Sequence, residues 1–368
     1  MTSAASATST PSTSTPSTST PSTSAPLSAS ASTEAVRAAA DEYLDALGRG
    51  DELRAVELVT GLLDAGSSPQ QVLLELVTPA QMCVGQLWES GRWSVAQEHA
   101  ATCIAERVVA AVGARTRRTG SRGHVVLSCL DGEWHALTAR IVGEVLKLHD
   151  WRVTFLGASV PPVHLVSFLH QHGPDVVALS ATLPIRLPAA RQTVVAAQRT
   201  GTPVLAGGAG FRADGCFARS LGVDAWAPTV PDAVALLDRL PWPEPAVPRP
   251  ADAGAEAEYA GVRERRGRLV VAALENLRSG SGLPVQLADS ALDDDLGQAV
   301  DFLAAAAYFG DRGLFADHVG WLARVSASRG ASEAALAGVL DAFGAELHDF
   351  PFAQACLDAG REAAAGRP

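Results

Sequence analysis

The chain has 368 residues, enough for two or three domains, with 47% hydrophobic residues and a formal net charge of −11. That acidic balance, with a pI near 5.3, argues against a standing nucleic-acid surface, and no run of about eighteen apolar residues is present to span a bilayer. Five cysteines (Cys83, Cys103, Cys129, Cys216 and Cys356) without CxxC or disulfide-like spacing read as reduced thiols of a cytoplasmic protein, with Cys83 and Cys103 buried and inert.

In chain order, residues 1–32 are nearly all Ser, Thr, Ala and Pro; they lack the apolar stretch of a signal peptide and are expected to be disordered. Residues 33–118 are helical in pattern throughout. "EAVRAAADEYLDALGRGD", "ELRAVELVTGLLDAG", "SPQQVLLELVTPAQMCVGQLWESG" and "SVAQEHAATCIAERVVAAVGA" predict four helices in an antiparallel bundle, the third opened by a Ser-Pro cap. After the basic "RTRRTGSRG" the period changes, and residues 119–240 hold the short apolar runs "HVVLSCL", "WRVTFLG", "DVVALSA", "PVLAGG" and "DAWAP" separated by helical patterns. This is a βαβ series, hence a Rossmann-like, flavodoxin-like parallel sheet, with Trp151 and Trp226 covering its edges. Residues 241–256 form a Pro-rich linker. Residues 257–368 return to helical periodicity, a second all-α domain similar to the first in length and helix count, in which Arg263, Arg265, Arg266 and Arg268 look like a solvated helix start. The fold class is α/β plus all-α: helical cap, parallel-sheet domain, C-terminal helical domain.

Ligands of open parallel sheets bind outside the carboxyl ends of the strands. His135 lies just past the first strand, in "DGEWHALT", and Ser180, Thr182, Gly207 and Gly208 lie at the ends of two others. Taken alone, His135 reads as an ordinary loop histidine. Glu133 stands two residues before it, suited to orient the ring, and Asp131 lies one turn earlier. Neutral imidazole is a good ligand for cobalt or iron, and a carboxylate on its other nitrogen fixes the tautomer. "SATLP" brings hydroxyls to the neighbouring strand end, and "LAGGAGF" removes side chains so that a bulky group can approach the backbone.

These three motifs together resemble the cobalamin-binding domain family, over roughly residues 33–240. The resemblance implies that His135 is the lower axial ligand of cobalt and that the displaced nucleotide tail lies beside the sheet near Ser180, Thr182, Gly207 and Gly208. The usual His-x-x-Gly departs here to Thr138, which touches the packing of loop on helix and not the ligation. In the bundle, "LWESGRWSVAQEH" holds Trp88 and, after nine residues, Glu98-His99. This spacing resembles the cobalamin photoreceptors, in which such residues surround the 5′-deoxyadenosyl group of adenosylcobalamin; the other reading makes Trp88 core and Glu98-His99 a solvated helix face. Where the best-known members carry a histidine after the tryptophan, this chain has Glu89.

The resemblance implies a light sensor and not an enzyme, responding to light by cobalt–carbon cleavage and a change of conformation or homo-oligomeric assembly. It would signal to a separate partner, without direct DNA binding, since no helix-turn-helix block stands ahead of the bundle. The alternative is a corrinoid carrier for methyl transfer. In the C-terminal block, "AAAAYFGDRGLFADHVGWLARV" gathers Tyr308, Phe309, Arg312, Phe315, His318, Trp321 and Arg324, with Phe315, His318 and Trp321 on one helical face and Ala304–Ala307 leaving space opposite. A flat ligand bearing propionates suits such a wall. The order of domains is similar to that of the photocobilins, which implies biliverdin as a second ligand, held through Tyr308, His318, Trp321 and Arg324 without a covalent bond to Cys356; a plain dimerisation module is the other reading.

Overall fold

The computed structural model describes residues 29–116, 119–242, 253–279 and 289–366. The expected disorder before residue 29 and most of the Pro-rich linker lie outside the described residues. Helix α1 (Ala29–Ala38) begins inside the segment expected to lack structure, because Ser32 is buried and donates to Gln71 Oε1 at 2.9 Å. Helix α2 (Ala40–Arg49) follows after Ala39, so the first expected helix is split in two. It ends on Gly50 at φ 69°, a left-handed position that glycine accepts without strain. Asp51 then caps α3 (Glu52–Asp64) by accepting from Arg54 N at 3.0 Å.

The third expected helix is one run with a fault in it. Helix α4 (Pro69–Gln71), started by a Ser68–Gln71 capping box, passes through a π-helical stretch (Val72–Val77) into α5 (Thr78–Glu89). Pro79 explains the fault: it has no N–H to return to the preceding turn, so the ladder widens before it, and Thr78 Oγ1 donates to Leu73 O at 2.9 Å. A second capping box, Ser94 with Gln97, opens α6 (Val95–Ala114). Ala101, Ile104, Ala105 and Val108 face the core along α6, which places Cys103 on the outer face; it is exposed and Cys83 partly exposed, so the expectation that both are buried does not hold.

The five expected strands all form: β1 (His124–Cys129), β2 (Arg152–Phe155), β3 (Val176–Ser180), β4 (Val204–Gly207) and β5 (Ala225–Ala227). All pairs are parallel, in the order β2-β1-β3-β4-β5. The connecting helices are α7 (Ala136–Leu148), α8 (Pro162–His172), α9 (Leu187–Gln198) and α10 (Cys216–Leu221), and α11 (Val230–Leu237) follows the last strand. The period-2 alternation of strands divides the sheet cleanly. Val125, Leu127, Val176, Ala178 and Leu205 join the core of the N-terminal cap, whereas Val126, Val177, Leu179, Val204 and Ala206 join a core that continues into the C-terminal helices.

That C-terminal domain begins at Ala253 and, among the described residues, has six helices, as many as the cap: α12 (Ala253–Glu264), α13 (Arg266–Ser279), α14 (Asp289–Phe309), α15 (Arg312–Ser328), α16 (Glu333–Glu346) and α17 (Pro351–Ala364). The arginines at its start are anchors and not a merely solvated face. Arg263 and Arg266 both reach Asp301, Arg268 pairs with Glu346, and Arg265 lies over the Phe350 ring. The domain docks on the sheet through Phe217 stacked on Phe309, with centroids 4.0 Å apart, and through Arg212 bound to Asp311 and Asp317. Among the described residues, no helix is long and apolar enough to cross a membrane.

Candidate functional site

Strand β1 delivers the chain to a tight turn at its carboxyl end. Leu130 N bonds Ser180 O at 3.2 Å, Gly132 takes φ 74°, and Glu133 N returns to Leu130 O at 2.9 Å. Glu133 is thereby driven inward, 1% exposed, while His135 stays half-exposed immediately before α7. Ser159, in the turn after β2, braces the same loop: its hydroxyl accepts from Gly132 N at 3.0 Å and lies 3.4 Å from Asp131, and its N–H donates to Glu133 O.

A buried carboxylate needs its charge compensated, and Glu133 has four donors for two oxygens. His135 N and Nδ1 give to Oε1 at 3.0 and 2.6 Å; Thr182 N and Leu183 N give to Oε2 at 2.7 and 3.1 Å. Burial alone would push this carboxyl up, but the bonds from His135 and from the backbone outweigh it and hold the pKa at about 2. An ionised carboxylate only accepts, so Nδ1 of His135 carries the proton and Nε2 presents its lone pair outward. The hydrogen bond to Glu133 raises the pKa of His135 against the opposite pull of burial, and the charges of Glu133 and Glu98 add to the rise.

Glu98 belongs to the cap, at the start of α6, and its charge is near enough to act on His135. Glu98 is itself held in a relay. His99 Nδ1 meets its Oε2 at 2.6 Å, Thr102 Oγ1 donates to its Oε1 at 3.0 Å, and Gln81 donates to Thr102 at 2.7 Å. Across the sheet, Ser180 pairs with Gly207 in register, and Thr182 serves through its N–H on Glu133. The two glycines differ in kind. Gly208, at φ 107°, would drive a Cβ to 2.3 Å from Ala181 O, so the backbone itself requires glycine there, whereas a Cβ on Gly207 would meet nothing closer than Ala227 O at 3.5 Å. Only Gly207 is free of a local reason to lack a side chain.

Trp88 lies at the junction with the C-terminal domain. Its ring is 5.8 Å from that of Trp321, Arg329 stands over it at 5.0 Å, and Arg329 donates to Trp88 O at 3.4 Å. Arg324 pairs with Glu89 at 3.2 Å, and Ser328 Oγ donates to Glu89 O at 3.0 Å. Trp88 and Trp321 also line an apolar cavity of about 290 Å³ with Phe315, Leu322 and Arg329.

The four residues expected to hold a bilin are not gathered there. Trp321 lines the cavity. Tyr308 packs against Tyr259 and Phe309, and Arg324 is turned to Glu89. His318 is buried in a stack on Phe302, its Nε2 without a hydrogen-bond partner, and burial lowers its pKa to about 3. Ala304–Ala307 leave no free space; they are buried in the core. Cys356 is buried, its thiol pushed up to about 12, which removes the reactivity a covalent attachment needs. Thr102, Gln81, Ser159 and Arg329 are site residues that sequence reasoning missed. Of these, only Ser159 had a signal, its place at a strand end.

Two B12 binding domain families match this chain, one over residues 123–237 and the other over residues 39–112. The chain carries a two-part B12-binding module. The HTH-type transcriptional repressor CarH of Myxococcus xanthus is 30% identical over 179 residues, covering 47% of this chain and 58% of its own length; the chain thus spans little more than half of that relative. Trimethylamine corrinoid protein 1 of Methanosarcina acetivorans is 27% identical over 198 residues, covering 52% of this chain and 91% of its own length. The solved monomethylamine corrinoid protein of Methanosarcina barkeri aligns with a TM-score of 0.49 and 17% identity over 54% of this chain and 97% of its own. The B12-binding module accounts for the cap and the sheet domain, and the donor set fits a corrinoid. A single imidazole whose tautomer Glu133 fixes suits a metal whose other positions a macrocycle fills.

Proposed function

We propose that the chain is a light sensor, not an enzyme, that holds adenosylcobalamin between its cap and its sheet and reports through its C-terminal helices. His135 would hold the cobalt from below through Nε2, with Glu133 fixing the tautomer. Glu98 and His99 would meet the upper ligand, the Glu98 carboxylate accepting from ribose hydroxyls. Bound there, adenosylcobalamin supplies a cobalt–carbon bond that visible light cleaves. Trp88 carries the proposal: it sits near the end of α5, the cap helix whose Gln81 joins the Glu98 relay, and is also the residue on which Trp321 and Arg329 of the C-terminal domain rest. A change in how Trp88 sits is then felt in α15 without an intermediary.

Biliverdin is the second ligand in this reading, and the cavity between Trp88, Trp321 and Arg329 is its place. At about 290 Å³ it stands at the lower edge of the usual ligand-pocket range, so a bilin has to part Trp88 from Trp321 on entry. That couples the two sites.

A corrinoid carrier for methyl transfer is the second reading, favoured by the near-complete length over which the trimethylamine corrinoid protein aligns. Absorbance spectra and sizing chromatography of the cobalamin-loaded chain before and after green light separate the two. The sensor reading expects tighter binding of adenosylcobalamin than of methylcobalamin, a light-dependent spectrum and a changed elution volume. Equal affinities and an unchanged elution volume would leave the carrier.

A further inference from the structure

Beside the Glu133–His135 loop lies a guanidinium without a hydrogen-bond or ion-pair partner among the described residues. Arg186 closes the 3-10 turn (Pro184–Arg186) that follows β3, at the carboxyl ends of the strands. A Cβ on Gly132 would come within 3.2 Å of three of its guanidinium atoms, so the guanidinium lies over the backbone next to Glu133. Its Nε is buried with no partner, and among the described residues its side chain makes no hydrogen bond or ion pair. Arg212 also has a buried, unpartnered Nε, but its terminal nitrogens are bound to Asp311 and Asp317. Glu133 cannot serve Arg186 in this way, because both its oxygens are taken by His135, Thr182 and Leu183.

A partly buried guanidinium without an acceptor is costly, and its planar fork matches a phosphate. The peripheral groups of cobalamin are neutral amides; its one anion is the phosphodiester of the nucleotide tail, on the side of the corrin opposite the adenosyl group. We infer that Arg186 binds this phosphodiester, making it the residue that distinguishes a complete cobalamin from a corrinoid lacking the nucleotide. The inference rests on His135 being the lower-face ligand.

The test is equilibrium titration of the full chain, followed by absorbance, with hydroxocobalamin and with aquacobinamide, which lacks the nucleotide and its phosphate. Arg186→Gln should weaken cobalamin binding by on the order of tenfold or more, as expected for a lost charge-assisted bond, and leave cobinamide affinity unchanged. Arg186→Lys should recover part of the loss, and the salt dependence of cobalamin binding should flatten in Arg186→Gln. Unchanged cobalamin affinity overturns the inference, and so does an equal loss for both corrinoids in protein that melts like the parent. If Arg186→Gln does not fold, the cobalamin-to-cobinamide affinity ratio of Arg186→Lys decides: a lowered ratio supports the phosphodiester contact and an unchanged ratio refutes it. His135→Ala separates the two readings, since an unchanged spectrum in that variant removes the lower-face assignment itself, whereas its loss beside an unaffected Arg186→Gln removes only the role of Arg186.

Discussion

Glu133 is the residue on which the rest of the site turns, because it is acceptor to four donors at once. Glu133→Gln keeps the shape but offers one acceptor oxygen and one amino group, so either His135 or the Thr182–Leu183 backbone is left facing a donor. Loss of such a ligand-orienting partner should weaken cobalamin binding by about 10–100-fold, measurable by titration at neutral pH. The same residue sets an acid dependence. Its folded pKa of about 2 lies below the ordinary 4.5, so its contribution to stability is present above pH 4.5 and is lost as pH falls from there toward 2. Glu133→Gln should therefore flatten the decline of melting temperature over that window, and an equally steep decline would mean that Glu133 is not the group responsible. His135 has the opposite sign in the unliganded chain. Its pKa is raised, so its contribution is present below the ordinary value of 6.5 and is lost as pH rises through the folded pKa. A cobalt held by Nε2, as proposed, needs that nitrogen unprotonated, so cobalamin affinity should then fall as pH is lowered.

At the scale of elements, the contact between the end of α5 and α15 has no precedent in local pattern. Arg329 both donates to Trp88 O and lies over its ring; Arg329→Ala should cost about 1 kcal/mol, the sum expected of one hydrogen bond and a partly exposed cation–π pair, read by urea unfolding. It should also shift the Trp emission as the Trp88 edge opens to water; neither change appearing would make the contact incidental. This junction shows where the sequence is legible and where it is not. The strands are readable because short apolar runs alternate with helical periods, and Glu133 with His135 because a carboxylate two residues before an imidazole on a turn is within its reach. Trp88 and Arg329 are 241 positions apart, and only the docking of a whole domain brings them together. The same holds for Arg186, whose neighbour Gly132 lies on another strand's loop. Helical periodicity places Phe315, His318 and Trp321 on one side of α15 but cannot say that α14 has already occupied part of that side with Phe302.

At the scale of the whole molecule, the cap lies on one face of the sheet and the C-terminal helices on the other, yet the two meet at Trp88. The sheet face carrying Val177, Leu179 and Val204 shares one continuous core with Leu303, Phe315 and Phe343, so the C-terminal helices are not an appendage on a flexible tether. Elements that share a core unfold together, which makes cobalamin a ligand of the entire chain. A ligand at about a hundred times its dissociation constant adds roughly 2.7 kcal/mol to whatever unit unfolds with its site. Circular dichroism at 222 nm should accordingly show one helical melting transition, and hydroxocobalamin should move all of it upward, including the share contributed by the C-terminal helices. Two transitions of which only one moves would mean that the C-terminal domain folds independently, and a signal passing from the cap to α15 through Trp88 would then have no rigid body to act on.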